Sequence, residues 1–345
     1  MSDVVYNVTI FGLNFNIKPV AFTLPFGGGW DIYWYGIIIA TGFLLAIIYA
    51  WKNAERFNLD IDRLIDVILV ATPVAILCAR AYYLIFDGEK LSGISEFFGL
   101  DGSGFAGLAI YGGVIGAAVS AIVMCKVRKL KLLDVLDIAS IGFLIGQGIG
   151  RWGNFFNQEA FGRATGSDFW GMTSENVVSE LGKGKLAHPC FLYESIWCIA
   201  GFFLLHKLSK NRKFSGQIVL GYGIWYGFGR TIIEGLRTDS LYIGPFRVSQ
   251  VLSFLLCVTC AVLYAVIIKR RQEAEKGTKY VPMFGDLDNI ITNGEKSKQE
   301  ETDSDSEDIS SLDSVDDTEA YINDFEDLDE KHEDDKDTSD DKKID

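Results

Sequence analysis

The sequence predicts an all-α integral membrane protein with seven transmembrane helices, an external N-terminus and a cytoplasmic C-terminus. The 345-residue chain is 49% hydrophobic and 13% aromatic, yet it carries a net charge of -14. Residues 300–345 hold 22 Asp and Glu and only 4 Lys and Arg, a net charge of -18, which leaves +4 for residues 1–299. A uniformly soluble globular protein is therefore excluded, and the long apolar stretches and the distribution of basic residues complete the prediction.

The apolar stretches have the length of membrane-spanning helices. About 20 helical residues cross the roughly 30 Å hydrocarbon core of a bilayer, whereas barrel strands need only about 9–11 residues and alternate polar with apolar side chains. The stretches match the helical length. In order, the predicted spans are residues 32–51, 64–86, 105–125, 134–150, 190–206, 217–236 and 248–268.

The orientation follows from the basic residues between the spans. Fourteen Lys and Arg lie in the short connections after the first, third, fifth and seventh spans, and eight are spread over the longer segments on the other side. Basic residues concentrate on the cytoplasmic side of membrane proteins. The first set is therefore expected to be cytoplasmic, with the N-terminus outside and the C-terminal tail inside.

The chain is predicted to divide into three segments. Residues 1–30 lack the basic start of a cleavable signal peptide and are expected to form an ordered or interfacial segment outside the membrane. Residues 31–271 form the seven-helix domain. Residues 272–345 are expected to be a disordered acidic cytoplasmic tail, because the Ser/Asp/Glu run from residue 300 onward offers few apolar side chains. A docking site for a basic partner is the alternative for the tail.

Ionisable side chains within or at the ends of the spans each cost about 2.5–3.5 kcal/mol on insertion scales. Asp66 and Arg80 share one predicted helix but are too far apart to pair within it, so Arg80 needs another acceptor. The remaining ionisable residues lie where the fourth, fifth and sixth spans reach one membrane face, and Tyr35 and Tyr111 of the first and third spans reach the same face. Scattered structural pairs would not sort in this way. We therefore expect one functional site that includes Arg151, Glu194, Arg230, Glu234 and Arg237.

Two segments supply the polar groups of this site. In the sixth span, Tyr226, Arg230 and Glu234 recur every four residues and lie along one stripe of a helix. Such a stripe is either a self-satisfied ladder facing a wet vestibule or a site in which arginine faces phosphate or carboxylate oxygens. The Gly-rich segment 148–163 is either an interfacial loop or part of the same anion site. If it stays helical, one face carries Arg151, Asn154 and Gln158.

Metal and cofactor chemistry is not expected. The three histidines of the chain share no metal-ligand spacing. His188, which precedes Pro189 at a helix start, is either a cap or a proton carrier. The Cys257 and Cys260 pair lies in a predicted span without further ligands and is expected to be inert packing.

These residues resemble the prolipoprotein diacylglyceryl transferase family of bacterial inner-membrane enzymes, over residues 31–268. The exit motif of the fourth helix is the most specific part of the resemblance. In chain order the shared motifs are Trp34-Tyr35-Gly36, Tyr111-Gly112-Gly113, Gly150-Arg151-Trp152-Gly153-Asn154-Phe155 with Asn157, Glu159 and Gly162, His188-Pro189 with Leu192-Tyr193-Glu194, Tyr226-Gly227-Phe228-Gly229-Arg230 with Glu234, and Arg237-Thr238-Asp239.

The resemblance implies seven helices and an active site at the extracytoplasmic face. The implied reaction transfers the diacylglyceryl group of phosphatidylglycerol to the lipobox cysteine thiol of a preprolipoprotein, forms a thioether and releases glycerol phosphate. Arg151 would grip the lipid phosphate, and Arg230 would stabilise the departing phosphate. The other implied site residues orient the head group (Asn154, Asn157), line the cavity (Tyr35, Tyr226), orient the arginines (Glu159, Glu194, Glu234) or complete the binding site (Gly162, Tyr111, Arg237).

The resemblance does not identify the group that takes the thiol proton. Many family members have His where this chain has Tyr111, and a Tyr with a pKa near 10 is a poor base at neutral pH. Glu159, His188, Tyr226 or a thiol pKa lowered by the arginines could serve instead. Cys190-Phe191 is a second departure from the family pattern, since relatives often carry Thr-Gln there.

The expected partners are phosphatidylglycerol and preprolipoprotein signal peptides, with no nucleic acid, and the expected state is a monomer. An anion carrier built on the same arginines is an alternative, but carrier sites usually lie near the midplane of the membrane rather than at one face. A seven-helix retinal receptor is disfavoured because residues 248–268 contain no lysine for a Schiff base.

Overall fold

In a computed structural model of the chain, the structure describes residues 5–25, 30–87, 97, 107–238 and 242–275. The acidic run of the predicted tail, the Gly27-Gly28-Gly29 segment and Asp239 lie outside these ranges. The described chain is mostly helical, as predicted. Its α-helices are α1 (Trp34–Asn53), α2 (Ile61–Asp87), α3 (Ile110–Val127), α4 (Leu132–Asn157), α5 (Glu175–Leu181), α6 (Cys190–Ser209), α7 (Gln217–Glu234) and α8 (Val248–Glu275).

Six of the described helices are long and apolar enough to cross a membrane, namely α1 to α4, α6 and α8. Helix α7 coincides with the predicted sixth span but is not among the six. Its 18 residues include four glycines together with Gln217, Arg230 and Glu234, which lower its mean hydropathy. Large apolar side chains such as Leu69 and Phe203 are exposed on the long helices. The chain is thus a multi-pass membrane protein.

Helix α4 lies at the centre of the helical packing. It contacts α1, α6 and α7, while α2 packs on α3 and α7 packs on α8. Small residues let these helices approach closely, as is common between membrane helices. A Cβ atom on Gly112 of α3 would lie 2.3 Å from the carbonyl oxygen of Cys78, and one on Gly227 of α7 would lie 2.8 Å from that of Ser253.

A buried ion cluster joins α4 to the segment before α7. Arg212 Nη1 lies 2.6 Å from Asp134 Oδ1 and 2.8 Å from Asp137 Oδ2. The Asp137 carboxylate also accepts the backbone N–H groups of Gly216, Ile218 and Val219 at 2.8–2.9 Å. These donors have no partner within a helix at its first turn, so Asp137 caps α7 and fixes its start against α4.

Asp66 and Arg80, the two ionisable residues named in the second predicted span, also find partners. Asp66 pairs at 2.8 Å with Arg128, which directly follows α3. Arg80 finds backbone acceptors, since it donates to the carbonyl oxygens of Phe97 and Gly107, both at 3.3 Å. Structural contacts therefore account for both residues.

Short strands at one end of the helices were not predicted from the sequence. Strands β1 (Tyr6–Ile10) and β2 (Leu13–Ile17) form an antiparallel hairpin, and the free edge of β1 pairs with β5 (Met172–Thr173). With α5 and residues 158–189 they form what we call the head, whose own apolar core includes Val8, Phe155, Met172 and Phe191. Two further antiparallel pairs flank the helices, β3 (Val20–Leu24) with β4 (Trp30–Tyr33) before α1, and β6 (Tyr242–Ile243) with β7 (Phe246–Arg247) before α8.

Candidate active site

Three arginines meet at the carboxylate of Glu194, near the start of α6. Arg151 of α4 places Nη2 2.6 Å from Glu194 Oε2. Arg230 of α7 donates from Nη1 to Glu194 Oε1 at 2.5 Å, and Arg237 donates from Nη1 to the same oxygen at 3.4 Å. Arginines from α4 and from the end of α7, two regions that are distant in sequence, are therefore held by one buried carboxylate of α6.

A second carboxylate lies on α7 itself. Arg230 Nη2 lies 2.6 Å from Glu234 Oε2, which is the contact that their spacing of four residues allows. Arg247, the last residue of β7, donates from Nη1 to the backbone carbonyl of Glu234 and, at 3.1 Å, to that of Arg237. Carbonyl groups at a helix end have no partner within the helix, so Arg247 completes the carboxyl end of α7.

The arginine cluster, as we call it, consists of the side chains of Arg151, Arg230, Arg237, Glu194 and Glu234. These five side chains carry a formal net charge of +1 and are between 2% and 22% exposed. Charges taken out of water need compensation. Guanidinium groups match phosphate and carboxylate oxygens with paired N–H donors, so the cluster has the chemistry to bind an anion.

Comparison with known proteins identifies the family. A family model described as prolipoprotein diacylglyceryl transferase matches residues 19–266. The chain belongs to the prolipoprotein diacylglyceryl transferase family. It is similar to the phosphatidylglycerol–prolipoprotein diacylglyceryl transferase of Bacillus cytotoxicus, with 40% identity over 252 residues, 72% of this chain and 92% of the relative. The protein of the same name from Bacillus mycoides is 41% identical over 253 residues, with the same coverage of each chain.

The exit motif shared with the family stays helical through Asn157, where α4 ends. Asn154 Nδ2 and Asn157 Nδ2 donate to Glu159 Oε1 at 2.9 and 3.4 Å. Glu159 was expected to orient the arginines, but its described contacts are with these two asparagines. Gln158 turns into the left-handed region with φ 54° and leaves the face on which it was expected to join Arg151. The chain must reverse there to enter the head.

Close packing explains why two positions of the family motifs are glycine. A Cβ atom on Gly162 would lie 2.8 Å from both Cys190 Sγ and the carbonyl oxygen of Leu236, so only glycine fits where the head meets the end of α7. A Cβ atom on Gly153 would lie 2.5 Å from the ring of Tyr35, which therefore packs directly against α4 two residues after Arg151. Gly162 acts through packing in this structure.

Tyr226 and Tyr111, the other two predicted tyrosines, lie in different surroundings. Tyr226 precedes Arg230 by one helical turn, and its ring stacks on that of Tyr222 at 5.4 Å. Tyr111 is 61% exposed on α3 and its ring lies 6.5 Å from that of Tyr82. Because α3 packs mainly on α2, the described contacts do not bring Tyr111 to the arginine cluster, contrary to the expectation from its motif.

His188 belongs to a separate polar chain in the head. Its Nδ1 lies 3.2 Å from the hydroxyl oxygen of Tyr193, which also accepts a hydrogen bond from Trp170 Nε1 at 2.8 Å. Burial, and then the positive charge of Arg163, lower the pKa of His188 below its ordinary value. His188 is therefore neutral at pH 7, and its described contacts do not include the arginine cluster.

Arg247 and Trp170 make contacts at the site that neither the family motifs nor the charge pattern indicated. Arg247 was counted only as one basic residue among eight, although it follows the turn-forming Gly244-Pro245 and precedes a long apolar helix. An arginine that opens such a helix directly after a reverse turn was the available signal. For Trp170 the sequence offers none, because its contact with Tyr193 depends on how the head folds over α6.

Proposed function

We propose that this chain transfers the diacylglyceryl group of phosphatidylglycerol to the lipobox cysteine thiol of preprolipoproteins, the first step of bacterial lipoprotein maturation. The thiolate forms a bond to the glyceryl carbon, the bond from that carbon to the phosphate oxygen breaks, and glycerol phosphate leaves with the electron pair. The relatives carry this activity in their names. The observation that carries the proposal is the convergence of Arg151, Arg230 and Arg237 on the buried carboxylate of Glu194.

The proposed roles of the arginines follow from their unused donors. A guanidinium group has five N–H donors in a planar fork. Arg151 contacts Glu194 through one nitrogen, so donors remain for the lipid phosphate. Arg230, held between Glu194 and Glu234, stabilises the charge that grows on the phosphate as it departs, because it is already oriented before the reaction. Asn154 and Asn157, tied to Glu159, orient the glycerol head group.

The thiol, with an ordinary pKa of about 8.5, must lose a proton before it attacks. Glu159 is exposed beside the two asparagines, and the neutral His188 has the ionisation state that a proton acceptor needs. Tyr226 precedes Arg230 by one turn of α7. The excess positive charge of the arginine cluster also lowers the pKa of a thiol that enters it. All four routes avoid Tyr111, which is exposed on α3.

We propose that α7 also crosses the membrane, which brings the number of transmembrane helices to seven. Its 18 residues extend about 27 Å at about 1.5 Å per residue, and it contacts both α6 and α8, which meet the criteria for a span. The basic connections then place the N-terminus and the arginine cluster at the extracytoplasmic face of the cell membrane. The proposed segments are the external residues 1–30, the membrane domain 31–271 and the cytoplasmic tail 272–345 of a monomeric enzyme.

A lipidation assay tests this function. Membranes containing the full chain, phosphatidylglycerol and a lipobox peptide should yield a peptide heavier by one diacylglyceryl group. Arg151→Ala and Arg230→Ala should each lower the rate by about 100-fold or more, the size found when one oriented donor to a developing oxyanion is removed. Arg128→Ala, which removes a half-exposed arginine paired with Asp66, is the matched control and should keep the wild-type rate.

Two outcomes would contradict the proposal. Full activity of the Arg151 variant would show that the arginine cluster is not the phosphate site. Movement of phosphatidylglycerol across vesicles without any covalent product would favour the anion carrier instead.

A further inference from the structure

Uncharged polar side chains continue from the arginine cluster into the helices that carry it. Gln147 precedes Arg151 by one turn of α4, and Tyr226 precedes Arg230 by one turn of α7. Tyr222 precedes Tyr226 by a further turn. Since one turn of a helix rises about 5.4 Å, these side chains lie one and two steps of that size deeper in the proposed membrane domain than the arginines.

Gln147 and Tyr222 join α4 to α7. Gln147 Nε2 donates to Tyr222 Oη at 2.9 Å, and Gln147 Oε1 accepts a weak hydrogen bond from Cys198 Sγ of α6 at 3.9 Å. The rings of Tyr222 and Tyr226 are almost parallel, with 5° between their planes and 5.4 Å between their centroids. The two hydroxyl groups therefore project from α7 in the same direction, one helical turn apart.

Both tyrosine hydroxyl groups keep an unused O–H donor. A tyrosine hydroxyl that accepts one hydrogen bond can still donate its own hydrogen. Tyr222 Oη accepts from Gln147, and no described residue accepts its hydrogen. Tyr226 Oη has no hydrogen-bond partner among the described residues. It is also not one of the fully buried polar atoms that lack a partner, so it reaches an open surface.

This side of the contact between α4 and α7 is open to lipid. Tyr222 and Tyr226 are partly exposed, and Phe143, whose ring lies 6.2 Å from that of Tyr222, is 55% exposed. Hydrocarbon chains offer no hydrogen-bond acceptor, so an O–H group without one is costly at this depth. The acceptors that a phospholipid does offer below its phosphate are the carbonyl oxygens of its two ester groups.

We propose that Tyr222 and Tyr226 donate hydrogen bonds to the two ester carbonyl oxygens of the phosphatidylglycerol whose phosphate lies at the arginine cluster. The inference rests on the proposed function, which brings that phosphate to Arg151. The ester groups follow the phosphate toward the acyl chains by a few bonds, as the tyrosines follow the arginines by one and two helical turns. Gln147 is a positioning residue that orients the Tyr222 hydroxyl. Tyr226 thus binds the lipid rather than the thiol proton, and the pair makes the enzyme prefer ester-linked over ether-linked lipid.

Two lipids that differ only in these groups test the inference. Diester phosphatidylglycerol and its diether analogue share the phosphate, the glycerol head group and the chain length, but the diether lipid lacks both carbonyl oxygens. Lipidation is measured with the full-length chain in detergent free of other lipids, so that the donor lipid is the only source of esters. The wild type should have a KM for the diester lipid about tenfold lower than for the diether lipid, the effect of two neutral hydrogen bonds.

Three variants should weaken this preference. Tyr222→Phe should lower it to about threefold, because one of the two hydrogen bonds is left. Gln147→Leu should lower it in the same direction, because the Tyr222 hydroxyl loses the group that orients it. Tyr222→Phe combined with Tyr226→Phe should remove it altogether.

Tyr264→Phe is the matched control. Tyr264 of α8 accepts a hydrogen bond from Gln217 Nε2 at 3.0 Å, which is the same pair of groups at the opposite end of α7. Tyr264→Phe should lower the thermal midpoint about as much as Tyr222→Phe, yet keep the tenfold preference. The comparison separates recognition of the ester groups from the loss of one hydrogen bond between helices.

Equilibrium binding of the two lipids without peptide separates this inference from the proposed function. A preference for the diester lipid in binding that Tyr222→Phe weakens would support the ester site even if no peptide were lipidated, which would count against the transferase. Lipidation with equal KM for both lipids, or with a preference that Tyr222→Phe retains in full, would overturn the ester site and leave the transferase intact. Loss of the preference in Tyr264→Phe as well would also overturn it, because the preference would then depend on helix packing in general.

Discussion

Replacing Glu194 with glutamine tests whether the arginine cluster depends on its central carboxylate. Glutamine keeps the shape of the side chain and one acceptor oxygen, but it removes the charge that faces Arg151, Arg230 and Arg237. The net charge of the cluster would rise from +1 to +2. The variant should therefore be less stable without an anion, and it should respond more strongly to one.

The structure sets the size of the effect. Removing one partner of a buried ion pair costs about 3–5 kcal/mol. Glu194 is 4% exposed, but its arginine partners are 11–22% exposed, and water there screens part of the charge. We therefore expect a loss of about 3 kcal/mol, the lower end of that range. At about 2–4 °C per kcal/mol for a domain of this size, the midpoint should fall by about 6–12 °C.

The assay is the thermal inactivation midpoint of the full chain in detergent, with and without phosphatidylglycerol. The lipid should raise the midpoint of the Glu194→Gln variant more than that of the wild type, because its phosphate compensates a larger excess of positive charge. Glu55→Gln, at an exposed position of the 3-10 turn Ala54–Phe57, is the matched control and should leave the midpoint unchanged. An unchanged midpoint in Glu194→Gln would refute the reasoning, since the three arginines would then not need their shared carboxylate.

Four further changes have defined outcomes. Because burial and Arg163 lower the pKa of His188, the stability of the wild type should decrease relative to that of His188→Gln as the pH falls below about 6.5, where the unfolded chain binds the proton more readily. Asp137→Asn should cost about 3 kcal/mol or more, because it removes the charge that faces Arg212 and weakens the cap of α7, and the thermal midpoint measures this loss. Gly162→Ala should cost about 1–3 kcal/mol, because the added methyl group would overlap Cys190 Sγ and the Leu236 carbonyl oxygen, and it should lower kcat in the lipidation assay by shifting the end of α7. A chain that ends at residue 275 should keep its lipidation rate, since the proposed site lies entirely before that residue.

Each of these expectations has a contradicting result. A stability difference between the wild type and His188→Gln that does not change between pH 7 and 5 would mean that His188 titrates as it does in the unfolded chain. An Asp137→Asn midpoint equal to that of the wild type would show that the α7 cap contributes little. Wild-type kcat in Gly162→Ala would mean that the contact can relax, and loss of turnover on truncation would assign the tail a role in the reaction.

The helices could be predicted from the sequence because the insertion of a helix into a membrane depends on the composition of that segment alone. Each long apolar run specifies its own helix, and the observed helices overlap the predicted spans, although α4 ends at Asn157 rather than at 150 and α8 at Glu275 rather than at 268. The single departure from the count, α7, arises from the glycines and polar residues that the sequence had already marked as part of the site. The strands of the head were missed because they are short, and their pairing joins residues such as Ile10 and Met172 that are far apart in the chain.

Within the site, the sequence by itself determined which residue types converge. Hydropathy and charge sorted Arg151, Glu194 and Arg230 to the ends of three helices, since an unpaired charge inside a span is too costly to place at random. Only the tertiary structure decided their pairing. It made Glu194 the shared partner, turned Glu159 toward the asparagines and left Tyr111 exposed on α3. These outcomes depend on distances of a few ångströms between segments that are remote in the chain, and such distances are set by how the helices and the head pack, which no local pattern of residues encodes.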